Sequence, residues 1–394
     1  MHDHQAGIFR KLKWSFPWLI RYPLWRARKL MISGGNRHDL THIVFVIANH
    51  FEPGVGREAV GPLKRWCKLA YNAGRSIRDH DGTPFRHTYF FPAEQYDAPS
   101  LEKLADLQSE GLGEVEVHLH HGVQHPDNAS NTRRLLETFR DTLAYKHGFL
   151  SRENPTASPQ YAFVHGNVAL ANSAGGRNCG VDSEMEVLAQ TGCYADFTLP
   201  SAPDQSQVPK INAIYQCGNP LQEARPHRSG PDLKVGDKPS LPIIINWPLV
   251  FDWSRRVRGL PIPRIDDGAL AGNYPLRRDR FSRWQSAQIG VAGRSEWVFI
   301  KLYCHAFFEQ DQNAMIGDEM RRFMTEILEL GETTGHFKVH FASAREVFNM
   351  IMAGLEGEHG DPGLYRDYRL RPIWKESRSV AAKSCEKISA LGSS

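Results

Sequence analysis

Short apolar runs alternate with amphipathic stretches from residue 41 to about residue 355 of this chain. The apolar runs have the length of strands, and the stretches between them carry apolar residues at helical spacing. The predicted strands are Ile43–Ala48, His87–Phe91, Glu114–Leu119, Tyr161–Val164, Tyr194–Leu199, Pro242–Asn246 and Trp297–Leu302, with a weaker one at His336–Phe341. The predicted helices are Glu58–Asp79, Ser100–Glu110, Asn131–Lys146, Ser183–Gln190, Gly317–Leu330 and Ala344–Leu355. This alternation predicts an α/β fold of about seven βα units, which would form a strongly curved sheet or close into a barrel.

Three parts of the chain lack this alternation of predicted strands and helices. Residues 1–40 are basic and aromatic, residues 201–280 are rich in Pro, Gly and Arg, and residues 373–394 are polar and serine-rich. We therefore predict an N-terminal arm, an α/β unit over residues 41–372, and a disordered tail. Residues 201–280 are expected to be an insertion in that unit, with one core strand, covering the face that holds the site.

The composition is that of an ordinary globular protein, with 41% hydrophobic and 23% charged residues. The net charge of +4 argues against a polyanion binder, so no nucleic-acid partner is expected. The six cysteines form no C-x-x-C pair, which argues against a zinc ribbon and favours a reducing compartment over a disulfide framework. Neither a membrane-spanning run nor a signal-peptide pattern is found, so a cytoplasmic location is expected.

The arm mixes cations with aromatic residues between residues 8 and 31. Such a segment is typical of contact with the surface of an anionic membrane, which would place the protein at the inner membrane surface. The alternative is an arm that packs on the protein's own body, because Pro17 and Pro23 should break a long amphipathic helix.

The strongest chemical signal is the segment Glu114–His125, E-V-E-V-H-L-H-H-G-V-Q-H. His118 and His120 share one face of the predicted strand, because side chains alternate along a strand, and they could chelate one metal ion. His121 and His125 follow at a spacing of four as a second candidate ligand pair. An imidazole cluster favours zinc, with nickel, cobalt and iron as alternatives. The other interpretation is a set of solvated surface histidines.

The first predicted strand ends abruptly in Asn49, His50 and Glu52. In parallel α/β folds the carboxyl ends of the strands hold the site, so these residues should meet the histidine-rich segment. His50 is a further candidate metal ligand, and Asn49 and Glu52 are candidate catalytic residues. Alternatively, Asn49 and His50 are turn residues and Glu52 caps a helix.

Two later strands also lead to histidines. His165 and Asn167 follow one of them and are candidates for substrate binding, and His305 follows the last strong strand as a candidate general acid. Either histidine alone could equally be a core residue. The irregular region adds a polar cluster that could hold an anionic or sugar substrate, or form a surface ion-pair network. Its candidate substrate-binding residues are Asp252, Trp253 and Arg264.

In order and position, four segments resemble the motifs of the polysaccharide-deacetylase superfamily (NodB homology, carbohydrate esterase family 4). They are Asn49–Glu52, His118–His125, His165–Asn167 and Leu302–His305. The resemblance implies a distorted (β/α) barrel, one divalent metal ion, and removal of acyl groups from a glycan or glycan-lipid in surface polysaccharide metabolism. Because Asn49 and His50 stand where the family has two adjacent aspartates, the third segment lacks the family's arginine, and Tyr303 follows Leu302, the chain resembles a divergent subfamily.

Two other functions stay open at this level. A glycoside hydrolase-like enzyme on a related barrel would need two carboxylates, which Glu52 could form with Glu116, Asp182 or Asp266. A non-catalytic relative that binds sugar would fit the missing aspartate pair. A bound metal with one carboxylate would favour the deacetylase.

Overall fold

The computed structural model describes residues 2–27 and 40–374. The described helices are α1 (His2–Leu19), α2 (residues 22–27), α3 (Arg57–Ser76), α4 (Ala98–Ser109), α5 (Ala129–Asp141), α6 (Glu184–Gln190), α7 (Arg278–Ser286), α8 (Gln312–Met315), α9 (Asp318–Thr334) and α10 (Ala344–Leu355). The described strands are β1 (Thr41–His50), β2 (His87–Pro92), β3 (Gly113–Leu119), β4 (Ser151–Arg152), β5 (Tyr161–His165), β6 (Cys193–Asp196), β7 (Ile214–Gln216), β8 (Ile243–Ile245), β9 (Val250–Asp252), β10 (Arg256–Val257), β11 (Leu260–Pro261), β12 (Arg264–Asp266), β13 (Trp297–His305), β14 (Phe337–Phe341) and β15 (Arg371–Pro372).

The chain forms a mixed α/β structure around a nine-stranded sheet, which confirms the predicted α/β class. The strand order is β13-β1-β2-β3-β5-β6-β8-β7, and β14 pairs with the first half of β1. All pairings in this sheet are parallel except that between β7 and β8. Every predicted strand and helix is present close to its expected ends, whereas β7 is a second sheet strand within the region expected to hold one. Residues 375–394, most of the predicted tail, lie outside the described residues.

The sheet is buried on both faces. β1 turns its odd-numbered residues from Ile43 toward a core shared with α3, α4, α5, α6 and α9, which we call the outer face. Its even-numbered residues from Val44 pack on the opposite, inner face, against α10. Burial on both sides explains why β1 is almost continuously apolar. The same alternation decides which face each polar side chain near the strand ends occupies.

A buried lysine shows how strongly the sheet curls. Lys301 of β13 donates hydrogen bonds to three carbonyl oxygens, those of Phe197 at 2.7 Å, Leu199 at 3.1 Å and Ile245 at 2.5 Å. The Phe197 and Leu199 carbonyls follow the end of β6, and the Ile245 carbonyl belongs to the last residue of β8. In the strand order, β6 and β8 lie near one end of the sheet and β13 lies at the other end. The sheet therefore curves far enough to bring distant strands together across its inner face.

Lys301→Met is expected to lower the free energy of unfolding by about 1–3 kcal/mol, because three buried carbonyls lose their donor. Chemical denaturation measures this loss. Lys338→Met is the matched control, since that side chain is 45% exposed and its ion pair with Asp361 spans 3.7 Å at the surface. Equal stability of the two variants would contradict a bridging role for Lys301.

One side of the N-terminal arm packs on the body of the protein, and the other side presents apolar residues to solvent. Pro17 lies inside α1 rather than ending it, so the expected break at this proline is wrong. The proline lies in the last turn of α1, where loss of one backbone hydrogen bond interrupts little helix. Trp18 is buried in a small core against Ile211 and Leu249. The opposite side of the arm is exposed at Leu12, Phe16, Ile20 and Leu24.

Candidate functional site

Four strands, β1, β3, β5 and β13, carry histidines at or beside their carboxyl ends, and those of β1, β3 and β13 lie together. His50 of β1 lies in register with His305 of β13, and their ring centroids are 4.6 Å apart. His118 of β3 is 5.0 Å from His50, and His120 is 4.6 Å from His118, again between ring centroids. Two carboxylates join these rings. We call the set the mouth cluster: His50, Glu52, Glu94, His118, His120 and His305.

The ring nitrogens at the centre of the mouth cluster are arranged for a cation. His118 Nδ1 donates to the Val164 carbonyl at 2.8 Å, and its Nε2 lies 3.3 Å from Glu52 Oε1, a contact that needs either a proton or a cation between the two atoms. His50 Nε2 is buried and has no hydrogen-bond partner among the residues described. Ligand atoms of His50, Glu52 and His118 all lie within 4.8 Å of one another. A metal ion would satisfy the orphaned nitrogen of His50 and take the place of the proton between His118 and Glu52.

The protonation states favour the same chemistry. Burial, followed by the nearby His118 and His305, holds the pKa of His50 well below its ordinary value, so the ring is neutral and can bind a metal. Burial alone would raise the pKa of the Glu52 carboxyl, but the hydrogen bond and charge of His118 outweigh burial and lower that pKa. Glu52 is therefore an ionised carboxylate that can accept a proton, and its side chain is 30% exposed.

His120 is held by a carboxylate that the sequence analysis missed. Its Nδ1 and backbone N–H both bond to Glu94, at 2.5 Å and 3.3 Å. This arrangement fixes the ring and leaves Nε2 as the nitrogen that can bind a metal, the usual carboxylate–histidine pattern at metal sites. The ring lies against Gly166, where an added Cβ would approach it to 2.3 Å. The signal that could have found Glu94 is its position just after β2, at the same edge of the sheet.

The side of the mouth formed by β13 is aromatic. The ring of His305 stacks on Phe308 with centroids 5.1 Å apart, and burial lowers the pKa of His305. Tyr303 stacks on Trp247 at 4.6 Å between centroids and donates its hydroxyl to Asp267 at 2.9 Å. Burial raises the pKa of that carboxyl. The insertion therefore borders the mouth through Trp247 and Asp267, residues that the sequence analysis did not select.

Some predicted site residues do not join the mouth cluster. Asn49 is buried facing the other way, where its side chain bonds to His87 at 3.3 Å and to the Ala306 N–H at 3.1 Å. Alternation along β1 requires this, because His50 occupies the inner face. His125 is exposed in the loop after β3. Asn167 is also exposed, with a φ of 54°. His121 and His165 belong to a separate cluster on the outer face.

The polar cluster of the insertion is mostly occupied by contacts of its own. Asp252 accepts the Tyr274 hydroxyl at 2.7 Å and pairs with Arg283 at 3.3 Å. The Arg264 guanidinium lies 3.5 Å from the centroid of the Tyr274 ring. Trp253, by contrast, is exposed. These contacts match the ion-pair interpretation for Asp252, hold Arg264 against an aromatic ring, and leave Trp253 accessible to a partner.

No protein-family model and no curated protein matches this chain. The chemistry of the mouth cluster therefore rests on its own geometry.

Proposed function

We propose that the protein is a metal-dependent hydrolase of the polysaccharide-deacetylase type, which removes acyl groups from a glycan or glycan-lipid. The observation that carries the proposal is the orphaned Nε2 of His50, which shares a partly open strand-end site with His118 and the ionised Glu52. The strong curl of the parallel sheet supports the further proposal that the fold is a distorted (β/α) barrel.

His50, His118 and His120 would hold the ion, and three imidazoles suit Zn²⁺ best, with Ni²⁺, Co²⁺ or Fe²⁺ as alternatives. A bound ion would polarise the acyl carbonyl and lower the pKa of a coordinated water. Glu94 contributes indirectly, because its two bonds to His120 fix that ring before an ion arrives. The histidines at these strand ends would thus form the metal centre, and Glu52 lies beside it.

Glu52 and His305 supply the proton transfers in this proposal. Glu52 takes a proton from the attacking water as the water oxygen bonds to the acyl carbon. The bond from that carbon to the sugar nitrogen or oxygen then breaks. The proton taken up by Glu52 passes to His305, and the protonated ring then donates it to the departing atom, so the products are a free carboxylic acid and a deacylated sugar. The rings of His50 and His305 lie 4.6 Å apart between centroids, so the donor lies next to a proposed ligand.

A glycosidase mechanism fits the mouth less well. It needs one carboxylic acid that stays protonated to serve the leaving group. The two carboxyls of the mouth cluster, Glu52 and Glu94, are both bonded to histidines. In each case burial raises the carboxyl pKa, but the histidine hydrogen bond outweighs burial and the pKa falls. The bordering Asp267, whose pKa burial raises, already accepts the Tyr303 hydroxyl at 2.9 Å. Glu116 accepts bonds from Tyr194 and the Ala162 N–H instead, and Asp266 pairs with Arg280.

The experiment for this proposal measures acetate release from N-acetylated and O-acetylated oligosaccharides by the full chain loaded with Zn²⁺. We expect acetate release that stops on chelation and returns when Zn²⁺ is restored. New reducing ends without acetate would replace the proposal with glycoside hydrolysis. Sugar binding without either product would replace it with a non-catalytic role.

The arm supports a second contact, with an anionic membrane surface. None of the helices in residues 2–27 and 40–374 has the length and apolar character needed to cross a membrane. Leu12 and Phe16 are four positions apart in α1, which places them on one side of that helix, and Ile20 and Leu24 follow at the same spacing in the turn and in α2. Exposed Lys11 and Lys13 lie beside the first of them, Leu12. We propose that this side lies on the membrane while Trp18 anchors the arm to the body.

Leu12→Glu combined with Phe16→Glu is expected to weaken binding to anionic vesicles by on the order of a hundredfold, since each apolar side chain contributes about 1.5 kcal/mol or more when buried. Vesicle flotation of the full chain measures this. Val60→Glu, at a residue of α3 that is similarly exposed, should leave flotation unchanged. Equal flotation of the arm variant and the unchanged protein would remove the membrane contact.

A further inference from the structure

A second group of side chains of the types that bind metal ions lies behind the mouth cluster, on the outer face of the sheet. His121 follows β3, His165 ends β5, Cys179 lies in the next loop and Glu184 begins α6. All four are buried, and one ligand atom from each lies within 4.8 Å of the others. We call them the buried quartet. Alternation along β5 places His165 with Phe163 on the outer face, whereas His118 of β3 faces inward.

The spacing within the buried quartet is close to that of a tetrahedral zinc site. Ligands about 2.0–2.3 Å from Zn²⁺ at tetrahedral corners lie roughly 3.3–3.8 Å from one another. His165 Nε2 and Cys179 Sγ each lie 3.4 Å from an oxygen of Glu184. His121 Nε2 lies 2.8 Å from Glu184 Oε1 and 3.1 Å from His165 Nε2. The histidine nitrogens contact Glu184 Oε1 and the sulfur contacts Glu184 Oε2, and the four ligand atoms lie within 4.8 Å of one another, so modest side-chain shifts would place them around one ion.

The histidine rings are oriented for the same purpose. His121 Nδ1 bonds to Asp127 Oδ2 at 3.0 Å, and His165 Nδ1 bonds to the Gly166 carbonyl. Each ring therefore uses Nδ1 as a donor and turns Nε2 toward the other ring and toward Glu184. A proton on His121 could satisfy some of these contacts, whereas a cation would satisfy all of them.

The surroundings of Cys179 are those of a metal thiolate. Its Sγ accepts the backbone N–H groups of Asn172 and Val181, each at 3.4 Å. A neutral thiol is a weak acceptor, so two N–H donors aimed at one sulfur favour the anionic form. Burial and the negative charge of Glu184 raise the pKa of the Cys179 thiol. Metal binding would release the thiol proton to solvent.

The loop that carries Cys179 has an irregular backbone, which a metal ion bound between the loop and the sheet would stabilise. Between residues 166 and 183 the backbone is irregular, and five non-glycine residues have positive φ angles: Asn167, Val168, Ala171, Asn172 and Asn178. Such conformations cost about 1–3 kcal/mol each at their most strained and persist where surrounding contacts fix them. The loop also packs tightly on the turn after β3, since a Cβ on Gly122 would lie 2.1 Å from the Cys179 carbonyl oxygen.

We propose that His121, His165, Cys179 and Glu184 bind one Zn²⁺ ion that fixes this loop to the sheet, as a structural site distinct from the mouth cluster. The set supplies four protein ligands and is closed to solvent, which is the character of structural rather than catalytic zinc. The proposal does not depend on the hydrolase function, because neither the mouth cluster nor a substrate enters the argument.

Cobalt tests the proposal directly, because a thiolate bound to Co²⁺ gives a charge-transfer absorption in the near ultraviolet that imidazole and carboxylate ligands do not give. We expect the full chain, reconstituted with Co²⁺, to show this band. Cys179→Ala should abolish it, whereas Cys217→Ala, at another buried cysteine, should keep it. Absence of the band from a Co²⁺-loaded protein, or its survival in Cys179→Ala, would overturn the proposal.

A second measurement keeps the test valid if Cys179→Ala fails to fold. His50→Ala combined with His118→Ala leaves the buried quartet intact and should retain one zinc per chain after dialysis, by elemental analysis. A folded double variant without zinc would overturn the buried site. If that variant keeps its zinc but loses acetate release, the result supports the buried zinc site, and the lost activity is explained by the mouth cluster alone.

Discussion

Glu52→Gln is expected to lower the rate of acyl hydrolysis by roughly 10²–10⁴-fold, the usual range for loss of a general base, while fold and metal content stay unchanged. Glu52 is the carboxylate that lies with His50 and His118 inside one 4.8 Å set of ligand atoms. Glutamine keeps the size of the side chain but cannot take a proton from water. Acetate release and metal content, measured on the same preparation, give the result.

Glu58→Gln, at an exposed residue of the first turn of α3, is the matched control and should leave the rate unchanged. An unchanged rate in Glu52→Gln would contradict the assignment and direct attention to Glu94 and Asp267, the neighbouring carboxylates. A collapsed rate together with lost metal would make Glu52 a ligand instead of a base.

His118→Ala should remove one metal ion per chain and reduce hydrolysis to background. The ring is fully buried, its Nδ1 is fixed by the Val164 carbonyl, and its Nε2 points into the mouth cluster. Elemental analysis and acetate release report the two effects. The comparison variant is His125→Ala, because His125 comes from the same histidine-rich segment but lies exposed outside the cluster. Its metal content and rate should equal those of the unchanged protein.

Equal metal content in His118→Ala and the unchanged protein would contradict the assignment of His118 as a ligand. Loss of metal in His125→Ala alone would favour the ligand spacing of four, His121 with His125, that the family resemblance suggests. The two variants therefore separate the geometry of this chain from the motif of the family.

The sequence predicted the elements of the fold and the edge of the sheet where the mouth cluster lies. Both follow from local pattern, because apolar runs mark buried strands and parallel strands end at one edge. Alternation along β3 also places His118 with Glu116 on one face, and the structure places both side chains on the inner face, where Glu116 bonds to Tyr194.

The contacts that loop residues make could not be predicted from the local pattern of apolar and polar residues. Asn49 and His50 are adjacent in sequence but face opposite sides of β1, so only one can enter the mouth cluster. Glu94 depends on the turn after β2, and Cys179 depends on a loop of irregular backbone. Periodicity carries no information about such paths, since they are fixed by tertiary contacts of the individual loop.

The central claim is that a metal ion in the mouth cluster is required for acyl hydrolysis. Its most direct test is to add Zn²⁺ stepwise to the metal-depleted full chain and to follow acetate release from acetylated oligosaccharides. One of the Zn²⁺ ions bound by the unchanged protein should be missing from His118→Ala. We predict that acetate release increases as this ion binds and reaches its maximum when one such ion is bound per chain. Full release by the metal-depleted protein, or no release from any acetylated sugar at full occupancy, would contradict the claim.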